Sequence, residues 1–433
     1  MSRTIEITKI RRFSGEISVP GDKSISHRAL LLAAIAPGTS RVNGLATGLD
    51  ILATRQAIQR LGAVVTRISE TELDIEGREG SGNLQEPDEP INCLNSGTSV
   101  RLLSGLVAGA PFLSVLTGDR SLRSRPMLRI VEPLRRMGAS IMGRQEGNCL
   151  PLCIHGEKSL TPTDFRLSVA SAQVKSAILL AGLSANGETS VTEPFQTRDH
   201  TENMLEAAGI SIKRTGFMVS LSGPSHPIPI NWKIPGDASA AAFFVVGAAI
   251  HPGSSLIVRD VSLNPTRTAF LEVLRMMGAE IEVLERAVVF GEPVGTIRVN
   301  GCRLKGISIG RERVSLIIDE LPILAVAMAL AEGTSLVEGA EELRRKESDR
   351  IQSLVCEFRK FGLGADEHPG GFSIAGLGRP IAPPFSDAHG DHRIGMSLAI
   401  LGTAAEGTTI IREAQWIDVS FPGFEALLRR VSI

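Results

Sequence analysis

Short runs that are apolar on every side recur along this chain, and between them apolar residues fall at helical spacing. The first run, Ala29–Ala36, contains no polar residue, so a helix formed from it has no solvent face and must be buried. The pattern returns at Leu102–Ala110, Ala177–Leu183, Ala240–Ile250, Ile323–Ala331 and Ile394–Ala405, which predicts six buried helices. Each run is entered through a polar segment and followed by an amphipathic helix, usually closed by glycine before a strand. The stops are Gly62, Gly138, Gly209 and Gly278, with Gly362 a looser fifth. Glycine best tolerates the left-handed turn that closes a helix. β-rich segments such as Ile5–Ile7, Leu113–Thr117, Thr189–Val191 and Ser255–Val258 separate the helices. The chain reads as six copies of one repeat, each roughly 70 to 80 residues long, with strands, one buried helix and one exposed helix.

A single core rarely grows past about 250–300 residues, so six repeats predict two groups of three. Two similar turns, Pro20-Gly21-Asp22 and Pro235-Gly236-Asp237, mark candidate boundaries. If both are crossings, one domain is 21–234 and the other joins 1–20 to 235–433. A single break near residue 235 fits the pattern equally well.

Composition narrows the function. The chain has 433 residues, 43% hydrophobic and 21% charged, and its net charge of −1 argues against a general nucleic-acid or membrane-surface binder. With 15 Phe, 2 Trp and no Tyr, base-stacking platforms are not expected. Cys93, Cys149, Cys153, Cys302 and Cys356 form no metal-ligand spacing and suit reduced thiols in a cytosol. The N-terminus lacks a signal-peptide core, and the apolar runs fall short of the roughly 20 residues a bilayer needs. A cytoplasmic protein is expected.

Cations at a site must then be concentrated locally, and Pro20–Arg28 does this. Asp22 is a good N-cap, and Lys23, Ser24, Ser26, His27 and Arg28 crowd the first turn of the first buried helix. Free backbone N–H groups and the positive end of the helix dipole lie there too, so the stretch predicts a phosphate or carboxylate site. Further cations cluster where helices begin: Arg120, Arg123 and Arg125; Lys346 and Arg350; and Arg393. Parallel buried helices with such ends would aim several positive termini at a common cleft, suiting substrates with several negative charges. Two carboxylates are candidates for proton transfer. Asp319 lies in an apolar frame and is either a buried base or an N-cap, while Glu347, between Lys346 and Arg350, is either an acid–base group or a salt-bridge partner. His389, Asp391 and His392 offer only a weak metal pattern, and no P-loop or dinucleotide fingerprint is present.

Taken in order, Pro20–Arg28, Asn95–Thr98, Arg125–Met127, Ser171–Gln173, Thr197–His200, Asp319-Glu320, Lys346–Arg350 and Asp391–Arg393 resemble the motifs of the EPSP synthase (3-phosphoshikimate 1-carboxyvinyltransferase) family, bacterial branch, along nearly the whole chain. The resemblance implies an α/β fold of two similar inside-out, barrel-like domains, each of three βαβαββ repeats, joined by two crossing segments. Domain 21–234 would carry Lys23, Gly97, Arg125 and Gln173, and domain 1–20 plus 235–433 would carry Asp319, Glu347 and Arg393. The implied reaction transfers the enolpyruvyl group of phosphoenolpyruvate to the 5-hydroxyl of shikimate 3-phosphate and releases phosphate, by addition and then elimination, on the route to chorismate and aromatic amino acids.

Carried onto this chain, Lys23, Ser24, Arg28, Ser171, Gln173, Asp319 and Lys346 would hold shikimate 3-phosphate. Lys23, Gly97, Arg125, Gln173, Arg350 and Arg393 would hold phosphoenolpyruvate. Asp319 would be the base for the 5-hydroxyl, Glu347 the acid for the methylene carbon, and Lys23 a further participant in proton handling. No metal or organic cofactor is implied, and the partners are small-molecule substrates of a monomer, with no nucleic acid and no membrane. Three positions depart from relatives: Val419 replaces a lysine, His200 stands where a Tyr packs on shikimate phosphate, and Leu102 replaces a Pro. The nearest alternative is the sister enzyme acting on UDP-N-acetylglucosamine, whose loop matching Gly118–Pro126 often carries a cysteine absent here, and whose Lys-Asn differs from Lys23-Ser24. A non-catalytic anion-binding scaffold would not need Asp319 and Glu347 beside cations. RNA 3′-phosphate cyclases share the fold but need a nucleotidylated histidine, for which nothing here speaks.

Overall fold

All six apolar runs form helices in the computed structural model, which describes residues 3–433, and they lie within two separate cores. The first unit comprises Gly21–Ile234 together with Val288–Glu292. Its helices come in pairs, inner then outer: α1 (Lys23–Ile35) with α2 (Leu49–Arg60), α3 (Gly97–Ala108) with α4 (Leu128–Arg136), and α5 (Ala172–Gly182) with α6 (His200–Ala207). Every residue of α1 except Lys23 and Ser24 is buried, as an all-apolar helix requires. Helix α3 packs against both α1 and α5.

The second unit comprises the N-terminal stretch through Pro20, Pro235–Ala287 and Pro293–Ile433. Here the pairs are α7 (Ala238–Ile250) with α8 (Ala269–Met276), then a short α9 (Arg311–Ile317) leading into α10 (Leu321–Leu330) with α11 (Arg350–Lys360), and α12 (His392–Gly402) with α13 (Phe424–Val431). Helices α7, α10 and α12 pack on one another. The five glycine stops behave as their sequence context predicts: φ is +95° at Gly62, +110° at Gly138, +83° at Gly209, +98° at Gly278 and +75° at Gly362.

Small sheets flank the inner helices, three to a unit. Asp164–Arg166 pairs parallel with Gly187–Thr192 across α5, and Met218–Gly223 and Ile212–Thr215 follow antiparallel. The parallel pair exists because a helix makes the crossover between its strands. Strands such as Leu113–Thr117 alternate between buried and more exposed positions, as expected of sheets with one face on a core. Three sheets borrow a strand from far along the chain. Trp232–Lys233 joins Gly38–Asn43, Ser14–Ser18 joins Ser255–Ser262, and Ile5–Thr8 pairs antiparallel with Thr408–Arg412. The sequence alone placed 288–292 with the C-terminal half, whereas the structure groups these residues with the first unit. Phe290 packs edge-on against Trp232 at 5.2 Å, which anchors the segment there.

Inner-helix contact is close enough to demand glycine at Gly105, where a Cβ would stand 2.2 Å from the Ala177 carbonyl oxygen. Gly105→Ala is expected to lower stability by about 1–3 kcal/mol through overpacking. Urea titration would read this as a lower midpoint at unchanged slope. An unchanged midpoint would mean that α3 and α5 part without cost.

Candidate active site

In the first unit the predicted anion site begins at α1. Asp22 caps the helix, accepting from Ile25 N at 2.9 Å. Two of the five polar residues then turn inward. Ser26 Oγ accepts from Ala46 N at 3.1 Å, and His27 Nδ1 lies 2.7 Å from Thr54 Oγ1, which in turn bonds Ser99. Burial pushes the His27 imidazole down to about 3, so it is neutral near pH 7. The expectation that His27 strengthens the anion site is therefore corrected: it joins α1 to α2. The outward-facing members are Lys23, whose Nζ lies 2.9 Å from Asp50 Oδ2, and Ser24.

Arg28 is 4% exposed and stays cationic, although burial brings its pKa down to about 10. Its Nε donates to Thr201 Oγ1 and its Nη2 to Ser176 Oγ, each at 2.7 Å, and its Nη1 donates to the Ser24 carbonyl at 2.8 Å. These bonds use three of the five guanidinium N–H groups and leave one on each terminal nitrogen, a fork suited to an oxyanion. The Asn95–Thr98 motif starts α3, where Ser96 is the cap. Arg125 Nη2 donates to Asn95 Oδ1, Arg101 Nη1 to Gln173 Oε1 at 2.7 Å, and Gln173 Nε2 to Thr98 Oγ1 at 3.0 Å. A Cβ on Gly97 would stand 2.8 Å from Arg101 Nη1 and 3.3 Å from Arg125 Nη1, so two guanidiniums crowd this helix start. Ser171 caps α5. Arg101 received no role from the sequence, although it closes the same polar motif. Arg120 and Arg123 separate from Arg125 and line a cavity of about 550 Å³ with Arg144, Gln145 and Cys149.

In the second unit one buried arginine is the hub. Arg350, 1% exposed, donates from Nε to Asp391 Oδ2 at 2.7 Å, from Nη2 to Glu347 Oε2 at 2.7 Å and from Nη1 to Asp319 Oδ1 at 3.4 Å. Burial opposes its charge, but the three carboxylates outweigh that and raise its pKa above the ordinary value. Asp319 also faces Lys346 Nζ at 3.6 Å and Arg393 Nη2 at 4.0 Å, while its carbonyl accepts from Arg393 Nη1 at 2.7 Å. The helix-capping alternative for Asp319 is not what forms: Glu320 occupies the N-cap position of α10, without a capping bond. Glu320 instead accepts from Ser239 Oγ, which accepts from Arg267 Nη2 at 2.6 Å, a pair of buried ions the sequence did not single out. Asp391 caps α12 through Arg393 N at 2.9 Å. The weak metal pattern dissolves, since His389 Nε2 sits 2.7 Å from Glu357 Oε1.

A pair of carboxylates set among Lys346, Arg350 and Arg393, and a separate forked arginine at a helix start, make binding sites for anions with groups able to move protons. Comparison with known proteins agrees. A profile of EPSP synthase (3-phosphoshikimate 1-carboxyvinyltransferase) matches residues 7–428. The chain belongs to the EPSP synthase family. Among its relatives, the 3-phosphoshikimate 1-carboxyvinyltransferase of Carboxydothermus hydrogenoformans is 50% identical, with 96% of each chain covered. That of Desulforamulus reducens is 45% identical, with 99% of each covered. The solved EPSP synthase of Acinetobacter baumannii superposes with a TM-score of 0.89 at 42% identity, over 100% of this chain and 98% of the other. The six-repeat, two-unit α/β architecture is the fold of that family.

Family likeness does not make every aligned position equivalent. His200, expected where relatives place an aromatic over the shikimate phosphate, is fully buried with Nδ1 2.8 Å from Glu292 Oε1. Arg198, two residues earlier, is one of the charges acting on Arg28, after Glu202 and Asp22, and sequence reasoning gave it no role. Leu102 is buried in α3. Val419 ends a 3-10 turn whose Ile417 is buried, and it supplies no cation.

Proposed function

We propose that this chain transfers the enolpyruvyl group of phosphoenolpyruvate to the 5-hydroxyl of shikimate 3-phosphate, releasing phosphate. The observation that carries the reading is Asp319 held within 4.0 Å of Lys346, Arg350 and Arg393, with Glu347 on the same Arg350. Arg28, Ser24, Ser171, Gln173, Lys346 and Asp319 serve the phosphorylated acceptor. Lys23 and Gln173 meet both substrates, and Gly97, Arg125, Arg350 and Arg393 take phosphoenolpyruvate.

Addition begins as the 5-hydroxyl gives its proton to Asp319 and its oxygen bonds to C2 of phosphoenolpyruvate. Glu347 protonates the methylene carbon, and a tetrahedral intermediate forms. In the elimination the Glu347 carboxylate takes a proton back from the new methyl group as the C2–O bond to phosphate breaks; phosphate leaves with the proton held by Asp319, and the enol ether is restored. The cations have two tasks. They neutralise the substrate anions, and by being neutralised in return they release their hold on the carboxylates. When phosphoenolpyruvate takes over Arg350 and Arg393, Asp319 loses positive charge from its surroundings and attracts a proton more strongly. Glu347 gains in the same way. The reading keeps the cytoplasmic, monomeric setting expected from the sequence, within aromatic amino-acid biosynthesis.

The direct test is phosphate release from phosphoenolpyruvate with shikimate 3-phosphate, beside the same assay with UDP-N-acetylglucosamine. Release with shikimate 3-phosphate alone is expected. Release with neither would return the chain to a binding scaffold.

A further inference from the structure

Behind Arg28 lies a buried ionic cluster that the reaction does not use. Lys175 of α5, 2% exposed, places its Nζ 2.6 Å from Glu193 Oε2 and 2.7 Å from Glu202 Oε1. Both glutamates are buried as well. The three residues come from different segments: α5, the stretch after strand Gly187–Thr192, and α6. Each contact reaches the anion site through a neighbour. Ser176 follows Lys175 and Thr201 precedes Glu202, and their hydroxyls lie 2.6 Å apart while both accept from Arg28. Glu193 accepts in addition from Thr197 Oγ1 at 2.5 Å, which fixes the turn leading to Arg198. One ammonium therefore holds the supports of Arg28 and the stem of Arg198.

The charge arithmetic points the same way. Lys175, Glu193 and Glu202 sum to −1, and Glu202 is the strongest charged influence on Arg28. Without the ammonium the sum becomes −2 beside a site meant for a phosphate. Glu202 Oε2 is buried without a hydrogen-bond partner among the described residues, so the cluster has no reserve donor to replace Lys175. The ordinary reading, a stabilising buried ion pair, explains cohesion but not why Lys175 and Glu202 each sit next to one of the two hydroxyls that accept from Arg28. Buried pairs of this kind are not reliably stabilising in any case.

We propose that Lys175 is a positioning residue for the phosphate of shikimate 3-phosphate: it locks the hydroxyls that hold Arg28 and keeps two carboxylates from repelling the bound dianion. This rests on the acceptor assigned above. The test measures steady-state kinetics of Lys175→Met, and of Lys175→Met/Glu202→Gln, whose cluster returns to −1. In Lys175→Met, KM for shikimate 3-phosphate should rise about tenfold, the order expected for one unit charge at an effective dielectric of about 20. KM for phosphoenolpyruvate should stay within about twofold. The double variant should recover most of the loss. Equal rises in both KM values, or a double variant as poor as the single, would overturn the proposal. If Lys175→Met does not fold, Lys175→Gln beside Lys175→Gln/Glu202→Gln makes the same comparison. Failure of the acceptor assignment is separate: wild-type protein would then release no phosphate with shikimate 3-phosphate.

Discussion

Asp319→Asn is expected to lower turnover about a thousandfold while KM for phosphoenolpyruvate changes little, since a positioned acid or base is worth about 10²–10⁴ in rate. The amide has nearly the same shape, and its oxygen can still face Arg350, which lies 3.4 Å from Oδ1. What it cannot do is accept the hydroxyl proton. Arg393 also keeps its strongest local bond, because that bond goes to the Asp319 backbone carbonyl. The comparison of kcat with KM therefore separates proton transfer from anchoring of the cations. Turnover within about tenfold of wild type would take Asp319 out of the proton-transfer role. A fall in kcat with an equal rise in KM would make it a structural counter-charge.

The fold was legible where physics acts over a few residues. A run such as Ile323–Ala331 can only be a buried helix, and Gly62 or Gly278 can only close one when the preceding periodicity stops there. Pairing between distant segments left no such trace. Trp232–Lys233 is a two-residue strand, too short to show alternation, and Ile5–Thr8 finds its partner at the far end of the chain, at Thr408–Arg412. Val288–Glu292 was misplaced because its attachment depends on Trp232, far off in sequence.

The site was legible as a list of charges and not as an arrangement. Adjacent residues on a helix point about 100° apart. His27 accordingly turns to Thr54 and becomes neutral, while Arg28 turns to Thr201 and keeps its charge. In the same way Arg125 bonds Asn95, whereas Arg120 and Arg123 line a different cavity. Lys175 was invisible because its meaning lies in Glu193 and Glu202, brought to it by two other segments. Asp319 carried both of its possible roles openly, and only the position of Glu320 at the start of α10 separated them.

Arg350→Met should have the largest effect on stability as well as on phosphoenolpyruvate binding. The guanidinium is buried and faces Asp319, Glu347 and Asp391, and Asp391 has no exposure to water. Removing one partner of a buried ionic group typically costs about 3–5 kcal/mol, because the remaining charge is left unpaired. The pH dependence distinguishes this from a simple packing defect. In the wild type, burial works to raise the Asp391 pKa, but Arg350 and neighbouring positive charge overcome it and hold the group below its ordinary 3.8. A carboxyl depressed in the folded state binds its proton more readily when unfolded. Its contribution is therefore complete above about pH 4 and is lost as the pH falls further. Without Arg350 the sign reverses: a buried carboxyl lacking its cation takes up a proton more readily folded than unfolded, so acid relieves the variant. Urea midpoints measured from about pH 7 to about pH 5 should show wild type nearly constant with respect to this group and the variant recovering, so that the gap between them narrows. A constant gap over that range would mean that the lost contacts were packing rather than charge, and that Arg350 does not hold these carboxylates ionised.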